Sequence, residues 1–213
     1  MKNKSIPSIT INRLSIYLRC LEKILETEKE KGLKVISSFE IAEMTGINSA
    51  QIRKDLAYFG EFGKRGVGYP LKNLSKELKN ILGLGKEWPI IIVGAGNLGQ
   101  ALINYKGLEK RGFVIEGIFD NSPIKIGKRL RQVIVQDVKE IKNFIKKKNI
   151  KIAVLAVPAT SAQEVADSIV KGGIKAILNF APIRIILSPE VEVKIHNVDL
   201  SIEFEGLTYY LSL

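Results

Sequence analysis

The stretch that most constrains this chain is PIIIVGAGNLGQALINYKGLEKRGFVIEGIFD, Pro89 to Asp120. It opens on an unbroken apolar run, Ile90-Ile91-Ile92-Val93, as a strand buried on both faces requires. Gly94-Ala95-Gly96-Asn97-Leu98-Gly99 follows at once. Leu98, Ala101, Leu102 and Tyr105 then recur at helical spacing, and Phe113 to Phe119 reads as a second strand ending in Asp120. Strand, glycine turn, helix, strand and acid stand in the order of a dinucleotide-binding unit. Gly94 permits the tight turn, Gly96 lets a pyrophosphate reach the backbone, and Gly99 lets the helix lie close on the strand. The helix N-terminus offers free N–H groups and the positive end of its dipole to phosphates. Asp120 is placed to accept from both ribose hydroxyls and to repel a 2′-phosphate, so the expected cofactor is NAD(H) rather than NADP(H).

The pattern repeats downstream. Val133-Ile134-Val135 reads as a short strand, and Asp137 as the cap of a helix closing on Lys146-Lys147-Lys148, where cations complement the dipole. Ile152 to Val157 is another buried strand, ended by Pro158. Ser161 to Val170 is a helix stopped by Gly172-Gly173. Ala176 to Leu178 is a strand before Asn179-Phe180-Ala181-Pro182, and Val193 to Ile195 is the last strand. This alternation predicts an α/β fold, a Rossmann-like doubly wound parallel sheet with right-handed crossovers. Ligands of such sheets lie outside the carboxyl ends of the strands. Those ends are Gly94, Asp120, Val157-Pro158 and Asn179-Phe180, and all four are expected around one nucleotide. Asp199 to Leu213 carries Ile202, Leu207, Tyr210 and Leu211 on one helical stripe, too apolar for a free tail, and is expected to pack on something, another subunit included.

The first 85 residues have a different pattern. Ile11, Leu14, Leu18, Leu21, Ile24 and Leu25 keep helical spacing between Thr10 and Lys31, with Gly32 as the stop. Arg19 sits beside that stripe and, from spacing alone, is a surface cation. Ser37 and Glu40 form a capping box. Gly46 permits a turn with positive φ, and Asn48 caps a helix running to about Phe59. With Ala42, Ile47, Ile52 and Leu56 as core contacts, this is the spacing of a helix-turn-helix. Its second helix is expected to expose Ser49, Ala50, Gln51, Arg53, Lys54 and Tyr58, side chains that reach phosphates and base edges in a major groove.

Gly60 to Pro70 places Gly60, Gly63, Gly66 and Gly68 around Lys64-Arg65. It reads as a tight β-hairpin with a basic tip, the wing of a winged helix, with Arg65 aimed at a minor groove or a phosphate. Phe59, Phe62 and Tyr69 argue for packing rather than a flexible linker. Leu74, Leu78, Ile81 and Leu82 form one more helix, and Gly83-Leu84-Gly85-Lys86 marks a domain boundary.

The net charge of +11 is spread over both parts, and suits a polyanionic partner as well as a lysine-rich proteome. No apolar run approaches the roughly 20 residues of a membrane span. The opening MKNKSIPSITINRLS lacks a secretory apolar region, so a cytoplasmic protein is expected. Cys20 and His196 are the single cysteine and histidine, which leaves no intrachain disulfide and no Cys- or His-rich metal site.

A winged helix followed by a dinucleotide fold resembles the Rex family of redox-sensing transcriptional repressors. The resemblance rests on Tyr17-Leu18-Arg19, Gln51-Ile52-Arg53-Lys54-Asp55-Leu56, and Tyr58-Phe59-Gly60 running into Arg65-Gly66-Val67-Gly68-Tyr69. It continues in Gly94 to Gly99, Tyr105, Asn179-Phe180-Ala181-Pro182 and Asn197-Val198-Asp199, and so covers nearly the whole chain. It implies a homodimer that holds near-palindromic operator DNA when NADH is scarce and leaves it when NADH binds. Residues 1–85 would be the DNA-binding domain. Residues 86–213 would bind NAD(H) and dimerise, with the last helix exchanged between subunits. By position, Arg53, Lys54 and Arg65 would contact DNA. Gly94, Gly96, Asn97, Leu98, Gly99, Asp120 and the Asn179–Pro182 loop would line the cofactor site. Arg19, Tyr105 and Asp199 would form a switch between the domains, which replaces the surface reading of Arg19.

Two other classes fit parts of the chain. A small NAD-dependent dehydrogenase would need its acid–base pair, yet no tyrosine is followed four positions later by lysine. His196 reads as a strand-end residue, and residues 86–213 leave no room for a substrate domain. A DNA-binding protein whose site takes another nucleotide, such as CoA or ADP-ribose, keeps the first half of the reading and changes the second.

Overall fold

The computed structural model describes residues 6–27, 34–64 and 66–212. They separate into two compact units, Met1–Lys86 and Glu87–Leu213. The first unit comprises α1 (Ser8–Thr27), β1 (Val35–Ile36), α2 (Ser38–Thr45), α3 (Ser49–Ala57), β2 (Tyr69–Pro70) and α4 (Leu71–Ile81). Leu14, Leu18, Leu21 and Ile24 of α1 share one core with Ile41, Ile52, Leu56, Leu74 and Leu78. Both halves of the capping box form: Ser37 Oγ accepts from the Glu40 N–H, and the Glu40 carboxylate accepts from the Ser37 N–H at 2.7 Å. Gly46 ends α2 with φ of 70°, and Asn48 caps α3 through the Ala50 N–H.

The glycine-rich segment closes as the expected tight hairpin but pairs over only one residue on each side. Among the described residues its own pairing is one bridge, Lys64 to Gly68. The two-stranded sheet joins β2 to β1 instead, antiparallel, with Val35 opposite Pro70 and Ile36 opposite Tyr69. Two residues are too few to show a period, which is why β1 is not legible in the sequence. Phe59, Phe62 and Tyr69 pack on the core. Gly32 and Arg65 lie outside the described residues.

The second unit runs β3 (Trp88–Val93), α5 (Asn97–Asn104), α6 (Lys106–Glu109), β4 (Phe113–Asp120), β5 (Arg129–Leu130), β6 (Val133–Asp137), α7 (Ile141–Lys148), β7 (Ile152–Leu155), α8 (Ala159–Gly172), β8 (Ala176–Asn179), β9 (Lys194–Asn197) and α9 (Leu200–Leu211). The sheet order is β5-β6-β4-β3-β7-β8-β9. Every pairing is parallel except that of β5 with β6. The order reverses between β3 and β7, the switch point at which a doubly wound sheet opens a crevice. The apolar run of β3 serves both faces. Ile91 and Val93 pack with Ile141 and Ile145 of α7 and Ala162 and Ala166 of α8. Ile92 packs on the other side with Ile103 of α5, Ile118 and Val154.

Three details depart from the sequence pattern. Asp137 caps a single 3-10 turn, Val138–Glu140, that leads into α7. A short α6 follows Tyr105. The last strand is shifted and takes in His196, which is exposed. On α9, Leu200, Ile202, Phe204, Leu207, Tyr209, Tyr210 and Leu211 are all exposed, and no residue of the helix is buried. No described helix is long and apolar enough to cross a membrane.

Candidate functional site

In the first unit the candidate surface is α3. Arg53, Lys54, Tyr58 and, beyond the helix, Lys64 are exposed, whereas Ser49 and Gln51 are half-buried. Arg53 leans on the preceding helix, its Nη1 donating to Ser38 Oγ at 2.9 Å. Gln51 is not the free side chain that helical spacing suggests: its Nε2 donates to Asp55 Oδ1 at 2.8 Å.

Asp55, fully buried, is a residue whose role the sequence reading missed. Arg13 reaches it twice, Nε to Oδ2 at 2.6 Å and Nη2 to Oδ1 at 2.7 Å. The Tyr17 hydroxyl donates to Oδ2 at 2.8 Å, and Thr10 Oγ1 lies 3.3 Å from Oδ1. Burial alone would raise the Asp55 pKa, but the bonds from Arg13, Tyr17 and Gln51, and the Arg13 charge, hold it below the usual carboxylate range. Burial and the same carboxylate push the Tyr17 phenol up. The cluster ties α3 to α1. An acid between Lys54 and the core, with an arginine one position before Leu14 of the apolar stripe, is the signal that could have found it.

In the second unit a cavity of about 970 Å³ opens at the switch point. Its walls include Gly94 and Gly96 after β3, Asp120 and Ser122 after β4, Val138, Lys139 and Lys142 at the start of α7, and Val157, Pro158 and Ser161 before and in α8. No side chain caps the N-terminus of α5 or of α8, so both present unsatisfied N–H groups. A Cβ on Gly94 would strike the Ala156 carbonyl, and one on Gly99 the Gly94 carbonyl. Strand and helix are therefore as close as backbones allow. Asn97 and Leu98 are exposed at the first turn of α5, and Ala95 is buried.

Asp120 is mostly buried and already engaged. Its Oδ2 accepts from the Ala95 N–H at 2.8 Å and from Lys125 Nζ at 3.0 Å, and Oδ1 accepts from the Ser122 N–H at 2.9 Å. Burial would raise its pKa, but these bonds and the Lys125 charge keep it below the ordinary value. A carboxylate offers about four acceptor sites. Three are filled, so Asp120 has room for one further hydroxyl rather than the expected two. Lys125 also offsets the charge that was expected to repel a 2′-phosphate. Lys125, Lys139 and Lys142 enter the site from a turn and a helix start whose basic residues carried no distinguishing spacing.

The fourth strand end behaves differently from the other three. Asn179 is fully buried, and its side chain works within the protein. Nδ2 donates to the Ala181 and Ile183 carbonyls and to Asn197 Oδ1, and Oδ1 accepts from the Ala181 N–H. Asn179 thus shapes its own loop and ties β8 to β9. Phe180 packs on the core beside α5, Ala181 is buried, and Pro182 is exposed. None of the four is among the residues lining the cavity.

The three residues expected to form a switch are exposed: Arg19 in the first unit, Tyr105 and Asp199 in the second. Asp199 caps α9, accepting from the Ser201 hydroxyl and N–H, and those bonds lower its pKa.

A sequence profile described as a putative DNA-binding protein N-terminus matches residues 5–57, and one described as a CoA binding domain matches residues 85–183. The redox-sensing transcriptional repressor Rex of Desulforamulus reducens is 49% identical over 100% of this chain and 99% of its own length. That of Pelotomaculum thermopropionicum is 50% identical over 99% and 96%. A crystal structure of RSP in complex with β-NAD⁺ and operator DNA superposes with a TM-score of 0.89 at 42% identity, covering 98% of this chain and 94% of that one. RSP in complex with β-NADH gives 0.85 at 41%, covering 98% and 95%. With near-half identity maintained from end to end, the chain belongs to the family of Rex redox-sensing transcriptional repressors.

Proposed function

We propose that this repressor binds operator DNA through its first unit when NADH is low, and is released when NADH fills the cavity of its second unit. The observation that carries the reading is the joining, in one chain, of an exposed basic helix to a switch-point cleft floored by two uncapped helix N-termini. Arg53 and Lys54 on α3, with Lys64 and Arg65 beyond it, contact DNA. Gly94 to Gly99, Asp120, Val157 and Pro158 hold the dinucleotide, whose pyrophosphate takes the free N–H groups of α5. Residues 1–85 are the DNA-binding domain and residues 86–213 the cofactor and dimerisation domain.

A second copy of the chain covers the exposed apolar residues of α9, whose exposures run from 59% at Leu207 to 87% at Leu211. Such an area of Leu, Ile, Phe and Tyr in water is unfavourable. A dimer puts two α3 helices on half-sites about 34–36 Å apart, and a change of angle between subunits breaks that register without touching DNA. Arg19, Tyr105 and Asp199 carry the message, and the protein works in the cytoplasm. Moving a population from 1:99 to 99:1 takes about 5.5 kcal/mol of differential affinity, which two NADH molecules per dimer share. By reciprocity, operator DNA weakens NADH binding by the same coupling.

The test is fluorescence anisotropy of a labelled operator selected from random duplexes, at fixed salt because phosphate contacts make affinity steeply salt-dependent. Release by NADH at concentrations where NAD⁺ and CoA do little is expected. Tight binding indifferent to NADH but relieved by CoA would replace the ligand. Loss of one charged acceptor also has a defined size: Asp120→Ala is expected to weaken NADH about tenfold, the range of one hydrogen bond to a charged group. Isothermal titration measures it, and an unchanged Kd would remove Asp120 from the ribose site.

A further inference from the structure

The bond from Gln51 to Asp55 fixes more than a side chain. A glutamine amide has an oxygen that only accepts and a nitrogen that only donates. Asp55 is ionised and clamped by Arg13 through both oxygens. An ionised carboxylate donates nothing, so the amide can meet it only with Nε2, at 2.8 Å. The flipped amide would set oxygen against oxygen beside a buried negative charge. Asp55 itself does not move aside, since Tyr17, Thr10 and Arg13 hold it within the core. Gln51 Oε1 is therefore turned away from Asp55, and no donor among the described residues is bonded to it. Gln51 is the third residue of α3, in the first turn. The N-terminal residues of a recognition helix are those that meet base edges.

We infer that Asp55 locks the Gln51 amide so that it reads an amino base, adenine or cytosine, and rejects a keto base, guanine or thymine, at one position of each operator half-site. This rests on the proposal that α3 binds operator DNA. In the major groove the exocyclic N6 of adenine and N4 of cytosine are donors, whereas O6 of guanine and O4 of thymine are acceptors. A free glutamine serves either kind by rotating its amide. A locked one turns Oε1 outward to accept from an amino group, whereas a keto oxygen is left only the second Nε2 hydrogen, on the end of the amide held at Asp55. Asp55 is a positioning residue here, and Gln51 is the residue that sets specificity.

The experiment uses the full-length protein and an operator selected from random duplexes. Each half-site position is replaced in turn by the other three bases, and Kd is measured for wild type and for Gln51→Ala at one salt concentration. The wild type is expected to show one position where either keto base costs about tenfold relative to either amino base, and Gln51→Ala is expected to flatten that position alone. Purine in place of adenine at that position, which deletes only the amino group, is expected to cost the wild type the same tenfold and the variant nothing. Equal binding of amino and keto bases at every position that responds to Gln51→Ala overturns the lock. A wild-type profile identical to that of Gln51→Ala removes Gln51 from readout. Failure of the wild type to select any duplex overturns the DNA-binding reading itself, and is distinguished by the absence of binding rather than of preference.

Discussion

Asp55→Ala is expected to destabilise the protein by about 3–5 kcal/mol, the cost of removing one partner of a buried ion pair. The carboxylate is fully buried and accepts from Arg13, Tyr17, Gln51 and Thr10. Its loss leaves the Arg13 guanidinium, only 18% exposed, without its counter-charge. The Tyr17 hydroxyl, on a residue with no exposed surface, loses its acceptor as well. Urea unfolding followed by circular dichroism measures the change. The double variant Arg13→Met/Asp55→Ala is expected to recover part of it, because the stranded charge rather than the lost attraction dominates. A cost below about 1 kcal/mol for Asp55→Ala would mean that water reaches the cluster.

The same residue sets a pH dependence. The folded-state pKa of Asp55 lies below its ordinary value near 3.9. The unfolded chain therefore takes up the proton first as pH falls. The stabilisation is fully present above about pH 4 to 5 and is lost as pH drops through the folded pKa. In Asp55→Ala this acid limb of the stability curve is expected to flatten.

What the sequence reveals follows from the length of the pattern that carries it. The parallel sheet is legible because its central strands are apolar runs buried on both faces, with Ile91 and Val93 in one core and Ile92 in the other. The caps at Ser37 and Asn48 and the turn at Gly46 were legible because local geometry demands those residue types. The Gly94, Asp120 and Val157-Pro158 strand ends do share one cavity. Asn179 does not line that cavity: a buried asparagine at a strand end satisfies its own loop as readily as it meets a ligand, and periodicity cannot tell the two apart. The Arg13–Asp55 pair spans 42 positions, and Lys125 reaches Asp120 across a turn. The first is set by tertiary approach, to which spacing along the chain is blind, and the second by a turn whose path no periodicity shows. Gln51 and Asp55 stand four positions apart on one helix, a spacing that lets them meet, but only the burial of that carboxylate by Arg13 and Tyr17 fixes which end of the amide is free.

Gly99→Ala is expected to yield a repressor that NADH releases only at much higher concentration. A Cβ at Gly99 would run into the Gly94 carbonyl oxygen, with the Gly94 carbonyl carbon at 3.1 Å and Ile92 Cγ2 at 3.5 Å. The obstacle is backbone and cannot rotate away, so α5 must lift off β3. Overpacking of this kind costs about 1–3 kcal/mol and occasionally more. It displaces the first-turn N–H groups that are to hold the pyrophosphate. At the upper end of that range NADH affinity falls about 100-fold. The first unit is untouched, so operator affinity without cofactor stays at its wild-type value, while the NADH concentration needed for release rises about 100-fold.

Gly96→Ala separates sterics within the protein from sterics against the ligand. Its φ is −79°, and a Cβ there meets no protein atom within 4 Å. It is expected to leave Tm unchanged and still to weaken NADH, because in the proposed binding mode the methyl would stand where the phosphates approach. Gly99→Ala is expected to lower Tm as well. Thermal unfolding with and without NADH, beside operator anisotropy, gives both readouts. Wild-type NADH affinity in both variants would mean that the dinucleotide does not cross the glycine turn, and would move the cofactor site to another part of the cleft.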